Sequence, residues 1–596
     1  MDILTESKMR SFSERNGFSG ESSYLFELYV ASVYLQRYLG GDVKLLDDVV
    51  IGGGDDEGVD VAAIVINGEI ILDPGDVTGA LEDRDDNDVR AIFIQAKTSE
   101  KFDTKLIAKF LHGVELCTNA AAKRSRIPLD SGLSQTVAIL EAVIENIDRF
   151  RTTRIPAEMY FVTTAKQPSE EAASETQVVC AINRLRDLDV YSDDLILKLH
   201  GRNEISAKEK ERKGPQNIEF RFPRKQSIPE VDGINQAYTG VLQASELIKI
   251  LWDGEGMRSG IFDDNVRLNQ GNENRVNQRI YSTLTSENRN MFPFLNNGVT
   301  IVARSLTNVA DRFSMSGYQI VNGGQTSHQL VRWFQSLDAD QKSGEDSLLT
   351  SVWIPVKLIE TSDSDIVSEV TIATNLQTSI AQADIQGSTQ DAKNVEQYFE
   401  QSGQDGLRYA RQSGVTEDPV GFTRLRVVTT TDLNRSVASC IFGESWRAIG
   451  SPNELTAQDS YVWGGYPVPL YYLSAWIVYR IESYFRRYRD NFELQALKAA
   501  KYHIAMLVAA KCFPEVEKIH ANYRDQKAMN AVAQKGSTGN WKEKIEESIE
   551  SCVSIVGKYF ADVTAQGRSL RKDDVRARKV QQDLLVALHD GPGPAR

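Results

Sequence analysis

The chain has 596 residues, of which 41% are hydrophobic and 25% charged, a composition that indicates a soluble globular protein with roughly two to four domains. Its net charge of −15 lies almost entirely between Asp42 and Asp88, where fifteen acidic residues stand against Lys44 and Arg84. No apolar run approaches the length of a membrane-spanning helix and residues 1–10 contain no apolar signal segment, so we expect a cytoplasmic protein without a membrane partner.

The apolar spacing predicts an amphipathic helix over residues 24–38. Glu27 is the one acidic residue among its Leu, Tyr and Val side chains, and this setting favours a buried position. Glu27 could therefore supply a carboxylate to a site inside the protein.

A first strand is predicted over residues 59–66, which form an apolar, β-branched run. It ends at the turn pair Asn67-Gly68, across which residues 70–72 could pair back as a hairpin. Asp60 lies near the start of this strand and is its only ionisable residue.

A second strand is predicted over residues 89–97. Because side chains alternate along a strand, Gln95 and Lys97 lie on the same face at its end. Asp60 could then lie beside both, which would bring a carboxylate, an amide and an ammonium group together.

These side chains are the types that phosphodiester hydrolysis requires. Asp60, the amide oxygen of Gln95 and Glu27, directly or through water, could bind Mg²⁺, with Mn²⁺ as a substitute. Lys97 could hold the attacking water and stabilise the negative charge that develops on the phosphate. An Asp followed by Gln-x-Lys also occurs in chains without such a site, and the surrounding helix and strands are what favour the catalytic interpretation.

The arrangement resembles the restriction-endonuclease-like superfamily, written PD-(D/E)xK, in the branch that has Gln in place of the third acid. The resemblance covers residues 20–115, and the matching positions are Glu27, Asp60, Gln95 and Lys97. It implies a mixed sheet flanked by helices and a metal-dependent endonuclease. The chain departs from the pattern in two ways, because no Pro precedes Asp60 and because Gln brings one negative charge fewer to the metal.

The pattern along the chain predicts an α/β multidomain protein. The expected parts are a nuclease-like domain over residues 1–200, a charged linker over 201–230, a middle α/β region over 231–455 and a mostly α-helical region over 456–596. In the linker, basic and acidic residues mix and are interrupted by Gly214-Pro215 and Pro223. Such a segment is either a solvated connector or a strap that contacts phosphates.

The middle region contains three clusters of Asn, Gln and Thr that follow apolar strands or open helices. Such clusters favour turns and helix caps, but their amides can also bind phosphates or base edges, and residue chemistry leaves both roles open. The candidate ligand-binding residues are Asn296 and Asn297, Asn322 and Gln325, and Asn375 and Gln377.

These clusters, spread over residues 235–450, are similar in kind and order to the motifs of the abortive-infection phage-resistance (AIPR) family. The resembling motifs are Asn296-Asn297-Gly298, Asn322-Gly323-Gly324-Gln325-Thr326 and Thr374-Asn375-x-Gln377. The resemblance implies a part in bacterial anti-phage defence, and with it a phage-derived trigger.

Beyond residue 455 the three-to-four spacing of apolar residues predicts packing helices. Basic residues at 202–225, 480–489 and 568–579 are candidates for phosphate contacts, although a solvated helix face explains the second group more simply. The sequence therefore predicts a metal-dependent nuclease of phage defence that acts on DNA, with RNA not excluded and with homo-oligomers as a further expectation. The alternative is a non-catalytic nucleic-acid-binding sensor or assembly module.

Overall fold

The computed structural model describes residues 1–590 with the exception of residues 40–41, 52–56, 82–86, 125–131, 193–194, 213–217, 230, 253–256, 259–260, 263–274, 343–346, 376–385, 388, 404, 412–422, 457–459 and 567. The chain forms two compact units. The first comprises Met1–Ile205 and Gln382–Arg596, and the second comprises Ser206–Ala381. The first unit therefore combines the amino-terminal and carboxy-terminal parts of the chain.

A mixed sheet forms the amino-terminal part of the first unit. β1 pairs antiparallel with β2 and β3, whereas β3, β4 and β5 are parallel. Both predicted strands and the turn between β1 and β2 are confirmed, and β1 is buried along its whole length. In the order β2-β1-β3-β4-β5, the strands are β1 (Val61–Ile66), β2 (Glu69–Ile71), β3 (Val89–Lys97), β4 (Ala157–Thr163) and β5 (Ile196–His200).

Helices cover both faces of this sheet because alternate residues of its strands are apolar on both sides. On one face, Ile92 and Ile94 of β3 pack with the helix Ser22–Tyr34. On the other face, Phe93 packs with the helix Thr104–Ala121. Further α-helices of this part are Ile3–Asn16, Leu46–Val49, Val77–Ala80, Ser134–Glu145, Glu170–Ser174 and Thr176–Asp187, with 3₁₀ turns at Val43–Leu45, Pro74–Asp76 and Ile147–Arg149.

The second unit contains a second mixed sheet, in which β9 and β11 are parallel and the other neighbouring strands are antiparallel. In the order β6-β10-β9-β11-β8-β7, its strands are β6 (Ile218–Arg221), β7 (Arg224–Ser227), β8 (Gln236–Gln243), β9 (Val299–Val309), β10 (Arg312–Asn322) and β11 (Trp353–Glu360). Its helices are Ala244–Leu251, Arg275–Thr285, Phe292–Leu295, Gly324–Ser336, Ala339–Lys342, Leu348–Ser351 and Ser364–Asn375, with a 3₁₀ turn at Glu287–Met291.

The stretch predicted as a charged linker, residues 201–230, contains regular structure in its described part. It holds the helix Arg202–Arg212, and β6 and β7 form the two edges of the second sheet. Ile218 and Phe220 are buried and alternate with exposed charged residues on β6. The charges that indicated a linker therefore lie mostly on the helix Arg202–Arg212, with others on the two edge strands β6 and β7.

Helices dominate the carboxy-terminal part of the first unit, so the mixed α/β class and the helical carboxy-terminal region are confirmed. β12 (Arg408–Ala410) and β13 (Val427–Thr429) pair in parallel. Within the described part of the chain, no helix is both long and apolar enough to span a membrane. The helices are Gln390–Glu400, Thr430–Cys440, Ser445–Gly450, Pro452–Leu455, Pro469–Arg487, Phe492–Gln495, Lys501–Cys512, Val516–Ala521, Gln526–Lys535, Trp541–Tyr559, Ala561–Thr564, Lys572–Val575 and Arg578–Asp590, with 3₁₀ turns at Arg424–Arg426, Tyr461–Trp463 and Lys498–Ala500.

Candidate functional site

Asp60 lies at the start of β1, where the backbone is hydrogen-bonded on both sides. Its N–H donates to the carbonyl of Ile94 at 3.0 Å, and its own carbonyl accepts from the N–H of Ile51 at 2.8 Å. The first of these bonds is one residue out of step with the Val61–Ile94 pairing of the sheet, so the strand is irregular at this point. This irregularity lets the Asp60 side chain turn towards the backbone of β3.

The Asp60 carboxylate contacts two neighbours on β3. It accepts a hydrogen bond from the Ala96 N–H at 2.7 Å, and Lys97 Nζ lies 3.2 Å from both of its oxygens. Asp60 is 1% exposed, whereas the Lys97 side chain is 29% exposed. The structure thus brings the predicted carboxylate and ammonium group together, with Lys97 on the solvent side of the pair.

Gln95 lies between Ile94, whose carbonyl accepts from the Asp60 N–H, and Ala96, whose N–H donates to the Asp60 carboxylate. It shares a strand face with Lys97. It is 2% exposed, and its Oε1 is buried without a hydrogen-bond partner among the described residues. A buried amide oxygen without a donor is costly and uncommon in proteins. Amide and carboxylate oxygens are ligands that Mg²⁺ accepts, so this oxygen and the Asp60 carboxylate fit a metal.

Glu27 is half-buried on the helix Ser22–Tyr34, which packs on the face of β3 formed by Ile92 and Ile94. Gln95 and Lys97 alternate towards the other face. The part of Glu27 at a metal site stays a prediction.

Among the described residues, no group of three or more His, Cys, Asp or Glu side chains is arranged to hold a metal. A metal at this site would take its ligands from Asp60, the Gln95 amide, a main-chain carbonyl such as that of Ala96, and water. Mg²⁺ commonly keeps several waters and needs only one or two carboxylates.

A row of basic side chains that the sequence analysis missed lies beside this site. The exposed residues of this row are Lys101, just before the helix Thr104–Ala121, and Lys105 and Lys109 in its first turns. The three are here called the lysine stripe. The helix touches the segment before Asp60, because a Cβ on Gly113 would lie 2.4 Å from the carbonyl oxygen of Glu57. In the sequence, these lysines follow the Gln-x-Lys triplet directly and are spaced four residues apart, a pattern that could have indicated the stripe.

Four of the basic residues that were candidates for phosphate contacts in the carboxy-terminal helices make contacts inside the first unit. Arg480 pairs with Glu546 at 3.0 Å, Arg486 with Asp47 at 2.6 Å and Arg568 with Asp574 at 2.7 Å. The Arg489 guanidinium lies 3.4 Å from the centre of the Tyr24 ring. These contacts lie within the fold, and a partner such as Asp47, 439 residues from Arg486, cannot be recognised from the sequence alone.

Two of the Asn and Gln clusters meet in the second unit. The Asn296 side chain accepts from the Gly298 N–H at 2.7 Å and from the Thr326 hydroxyl at 3.1 Å. Gly323 caps the helix Gly324–Ser336 with a φ of 91°, and a Cβ there would lie 2.5 Å from the Gly298 carbonyl oxygen. These contacts give the clusters a structural part as turns and caps.

The other predicted residues of these clusters differ in exposure. Asn297 is exposed, whereas Asn322, the last residue of β10, and Gln325, in the first turn of the following helix, are half-buried. Asn375 ends the helix Ser364–Asn375, and its side chain and Gln377 lie outside the described residues. A ligand-binding part for all of these residues stays a prediction.

His328 is a half-buried polar residue of the second unit. Its ring stacks on Phe262 with 5.5 Å between ring centres, and burial lowers the pKa of the imidazole to about 4. Its Nε2 and the neighbouring Ser327 hydroxyl are buried without hydrogen-bond partners among the described residues. His328 is therefore neutral at neutral pH.

The fold and the site describe a mixed α/β protein with several sheets and a helical carboxy-terminal region. Residues 262–441 match the family described as AIPR protein, which supports that family for this part of the chain. All three Asn and Gln clusters lie within the matched residues. No curated protein and no solved structure matches the chain.

Proposed function

We propose that this protein is a metal-dependent nuclease of anti-phage, abortive-infection defence, and that it hydrolyses the phosphodiester bonds of DNA, with RNA as the alternative substrate. The AIPR match supports the defence role. The observation that carries the nuclease part is the buried Asp60 carboxylate, held by the Ala96 N–H and Lys97 Nζ, together with the buried amide oxygen of Gln95 on the same strand, which has no hydrogen-bond partner among the described residues. The site then belongs to the Gln branch of the restriction-endonuclease-like superfamily.

In this proposal Asp60 and Gln95 hold Mg²⁺ or Mn²⁺, with Glu27 acting through water. When bound, the metal polarises the phosphate and lowers the pKa of the attacking water. Lys97 donates a hydrogen bond to that water and stabilises the charge that grows on the phosphate oxygens. The hydrogen bond from Lys97 Nζ to the Asp60 carboxylate, at 3.2 Å, holds the ammonium group at the site.

The lysine stripe supports a nucleic-acid substrate. Two of its lysines lie on a helix in contact with the segment before Asp60 and the third, Lys101, lies just before that helix, so they can follow a phosphate backbone that reaches the site. The acidic stretch between Asp42 and Asp88 does not oppose this, because several of its acids pair with basic residues of the carboxy-terminal helices. The stripe itself distinguishes neither DNA from RNA nor single from double strands.

The second candidate is a non-catalytic nucleic-acid-binding protein, and one contact favours it. Lys97 Nζ lies 3.2 Å from both oxygens of Asp60, so this carboxylate already has a cationic partner without a metal. A Gln in place of the third acid also weakens the attraction for a cation.

Incubation of the purified full-length protein with substrates and metals tests the proposal and separates the two candidates. The substrates are plasmid, linear duplex, single-stranded DNA and RNA, each with Mg²⁺, Mn²⁺ or EDTA. We expect cleavage of at least one DNA form with Mg²⁺ or Mn²⁺ and none with EDTA. Binding without cleavage under every metal condition would favour the non-catalytic candidate, and cleavage of RNA alone would replace the proposed substrate.

A further inference from the structure

Residues 42–51 support the backbone of Asp60 from the side opposite to β3. Val50 bridges to Val61, and the Ile51 N–H donates to the Asp60 carbonyl at 2.8 Å. β2 pairs only with the far end of β1, from Ile64 to Ile66. At the end of β1 that carries Asp60, the pairing on this edge therefore comes from Val50 and Ile51.

The same short segment is ion-paired to three elements of the carboxy-terminal part of the first unit. The residues of the segment lie on and beside the helix Leu46–Val49. Their partners lie on the helices Thr430–Cys440 and Pro469–Arg487 and on the 3₁₀ turn Lys498–Ala500. The pairs are Lys44 Nζ with Asp432 at 2.9 Å, Asp47 with Arg486 Nε at 2.6 Å, and Asp48 with Lys498 Nζ at 2.5 Å. Lys498 Nζ also donates to the Asp47 carbonyl at 3.1 Å.

The Asp47–Arg486 pair is the most buried of the three, and it continues into a second layer of charges. The Asp47 side chain is 11% exposed and that of Arg486 19% exposed. Glu482 lies 3.6 Å from Arg486 and pairs with Lys501 at 2.8 Å. A buried charge is costly once its partner is removed, so paired groups of this kind fix the relative position of the elements that carry them.

We propose that this set of pairs, Asp47–Arg486, Asp48–Lys498 and Lys44–Asp432, positions Asp60 for metal binding, so that the carboxy-terminal helices control the candidate nuclease site. The inference rests on the proposed function for the part that concerns the metal. Asp432 belongs to the residues that match the AIPR family, so the matched region itself reaches this set of pairs. Asp47 and Arg486 act through Asp60 and are positioning residues.

Two arginines of the same helix provide a matched test in the full-length protein. Arg486→Ala removes a partner of the Asp60 segment, whereas Arg480→Ala removes the partner of Glu546, which lies on another helix. Hydrogen exchange at the amides of Ile51 and Asp60 reports on the segment, and titration with Mn²⁺ followed by electron paramagnetic resonance reports on the metal. We expect faster exchange and a roughly ten- to a hundredfold weaker Mn²⁺ affinity in Arg486→Ala only.

A charge exchange keeps the test valid if Arg486→Ala unfolds. The double variant Asp47→Arg with Arg486→Asp should recover the slow exchange and most of the Mn²⁺ affinity that Arg486→Asp alone loses. Equal exchange and equal affinity in Arg486→Ala and Arg480→Ala would overturn the inference, as would a double variant no better than Arg486→Asp.

The two proposals fail separately. Hydrogen exchange at Ile51 and Asp60 is measured without metal or substrate, so it tests the positioning even in a protein that does not cut. An Mn²⁺ affinity that is the same in the wild type and in Asp60→Asn would refute the proposed metal site and, with it, the metal part of the inference.

Discussion

Gln95 is the residue at which stability and the proposed function conflict. A buried acceptor without a partner costs about 1–3 kcal/mol, and a site that binds a metal can retain such a group for its function. Asp60 avoids the same cost because its carboxylate accepts from the Ala96 N–H and from Lys97. Without a metal, the Asp60 carboxylate therefore has hydrogen-bond donors, whereas the Gln95 amide oxygen has none among the described residues.

Replacement of Gln95 tests this difference. Gln95→Leu removes the unpartnered oxygen at similar volume, so we expect the free energy of unfolding without metal to stay level or rise by about 1 kcal/mol. Mg²⁺ should stabilise the wild type against thermal unfolding and should not stabilise Gln95→Leu. Gln95→Glu should keep the activity with an equal or lower Mg²⁺ requirement. Stabilisation by Mg²⁺ that is the same in all three proteins would show that Gln95 is not a ligand.

Glu158 on β4 gives the first unit a pH dependence. Burial alone would raise the pKa of its carboxyl group, but hydrogen bonds from Tyr160 and Arg90 and the charge of Lys198 outweigh burial and lower the pKa to about 2. A carboxyl whose folded pKa lies below its ordinary value of 4.5 adds stability above that pH and loses it as the pH falls towards 2.

We expect Glu158 to contribute on the order of 2 kcal/mol at neutral pH, after allowance for its partial exposure. Urea unfolding of wild type and Glu158→Gln at pH values from 7 down to 3 measures this. The difference in the free energy of unfolding between the two proteins should be largest near pH 7 and should shrink below pH 4.5. A difference that is constant over this range would contradict the assignment.

At the scale of elements, what could be predicted from the sequence is what depends on neighbours in the chain. The apolar runs predicted β1 and β3, and the alternation along β3 placed Gln95 and Lys97 on one face. The irregular pairing at Asp60 was not predictable, because no local pattern shows that the Asp60 N–H donates to the Ile94 carbonyl of β3. The Asp47–Arg486 pair joins residues 439 positions apart, and no local pattern indicates such a partner.

The lysine stripe predicts a defined contribution to binding by one helix. Lys105→Glu with Lys109→Glu should weaken the affinity for DNA and lower the slope of log affinity against log salt by about 2, because two phosphate contacts are lost. Lys518→Glu with Lys527→Glu makes the same charge change at exposed positions of the carboxy-terminal helices and serves as the control. Fluorescence anisotropy at several salt concentrations gives both slopes, and equal losses in the two double variants would show that only net charge matters.

At the scale of the whole molecule, the amino-terminal part is completed by residues from the other end of the chain. The acidic excess between Asp42 and Asp88 is the clearest example, since the Lys572 N–H donates to Asp73 at 2.7 Å and its ammonium group pairs with Asp76. The sequence showed this acidity but not its partners. Its described acids thus serve in part to bind the carboxy-terminal helices.

We therefore expect residues 1–205 to be unstable on their own. In that fragment Lys44, Asp47 and Asp48 lose their partners. The Asp47–Arg486 pair is the most buried of these, and removing one partner of a buried pair costs about 3–5 kcal/mol. The fragment should be insoluble or should unfold well below the full chain, and coexpression with residues 382–596 should restore a folded complex. A fragment 1–205 that unfolds cooperatively at the temperature of the full chain would contradict this expectation.

The most direct test of the central claim is the rate of DNA cleavage by full-length protein in Mg²⁺ after single substitutions at the site. Asp60→Asn can still accept a hydrogen bond from the Ala96 N–H, so it removes the charge with little change in structure, and Lys97→Ala removes the ammonium group. Lys535→Ala, which removes a lysine paired with Glu515 in the carboxy-terminal helices, is the control.

We predict that Asp60→Asn and Lys97→Ala each lower the rate by at least about a hundredfold while thermal unfolding shows a folded protein, and that Lys535→Ala cleaves at the wild-type rate. Wild-type cleavage by either Asp60→Asn or Lys97→Ala would contradict the assignment of the site.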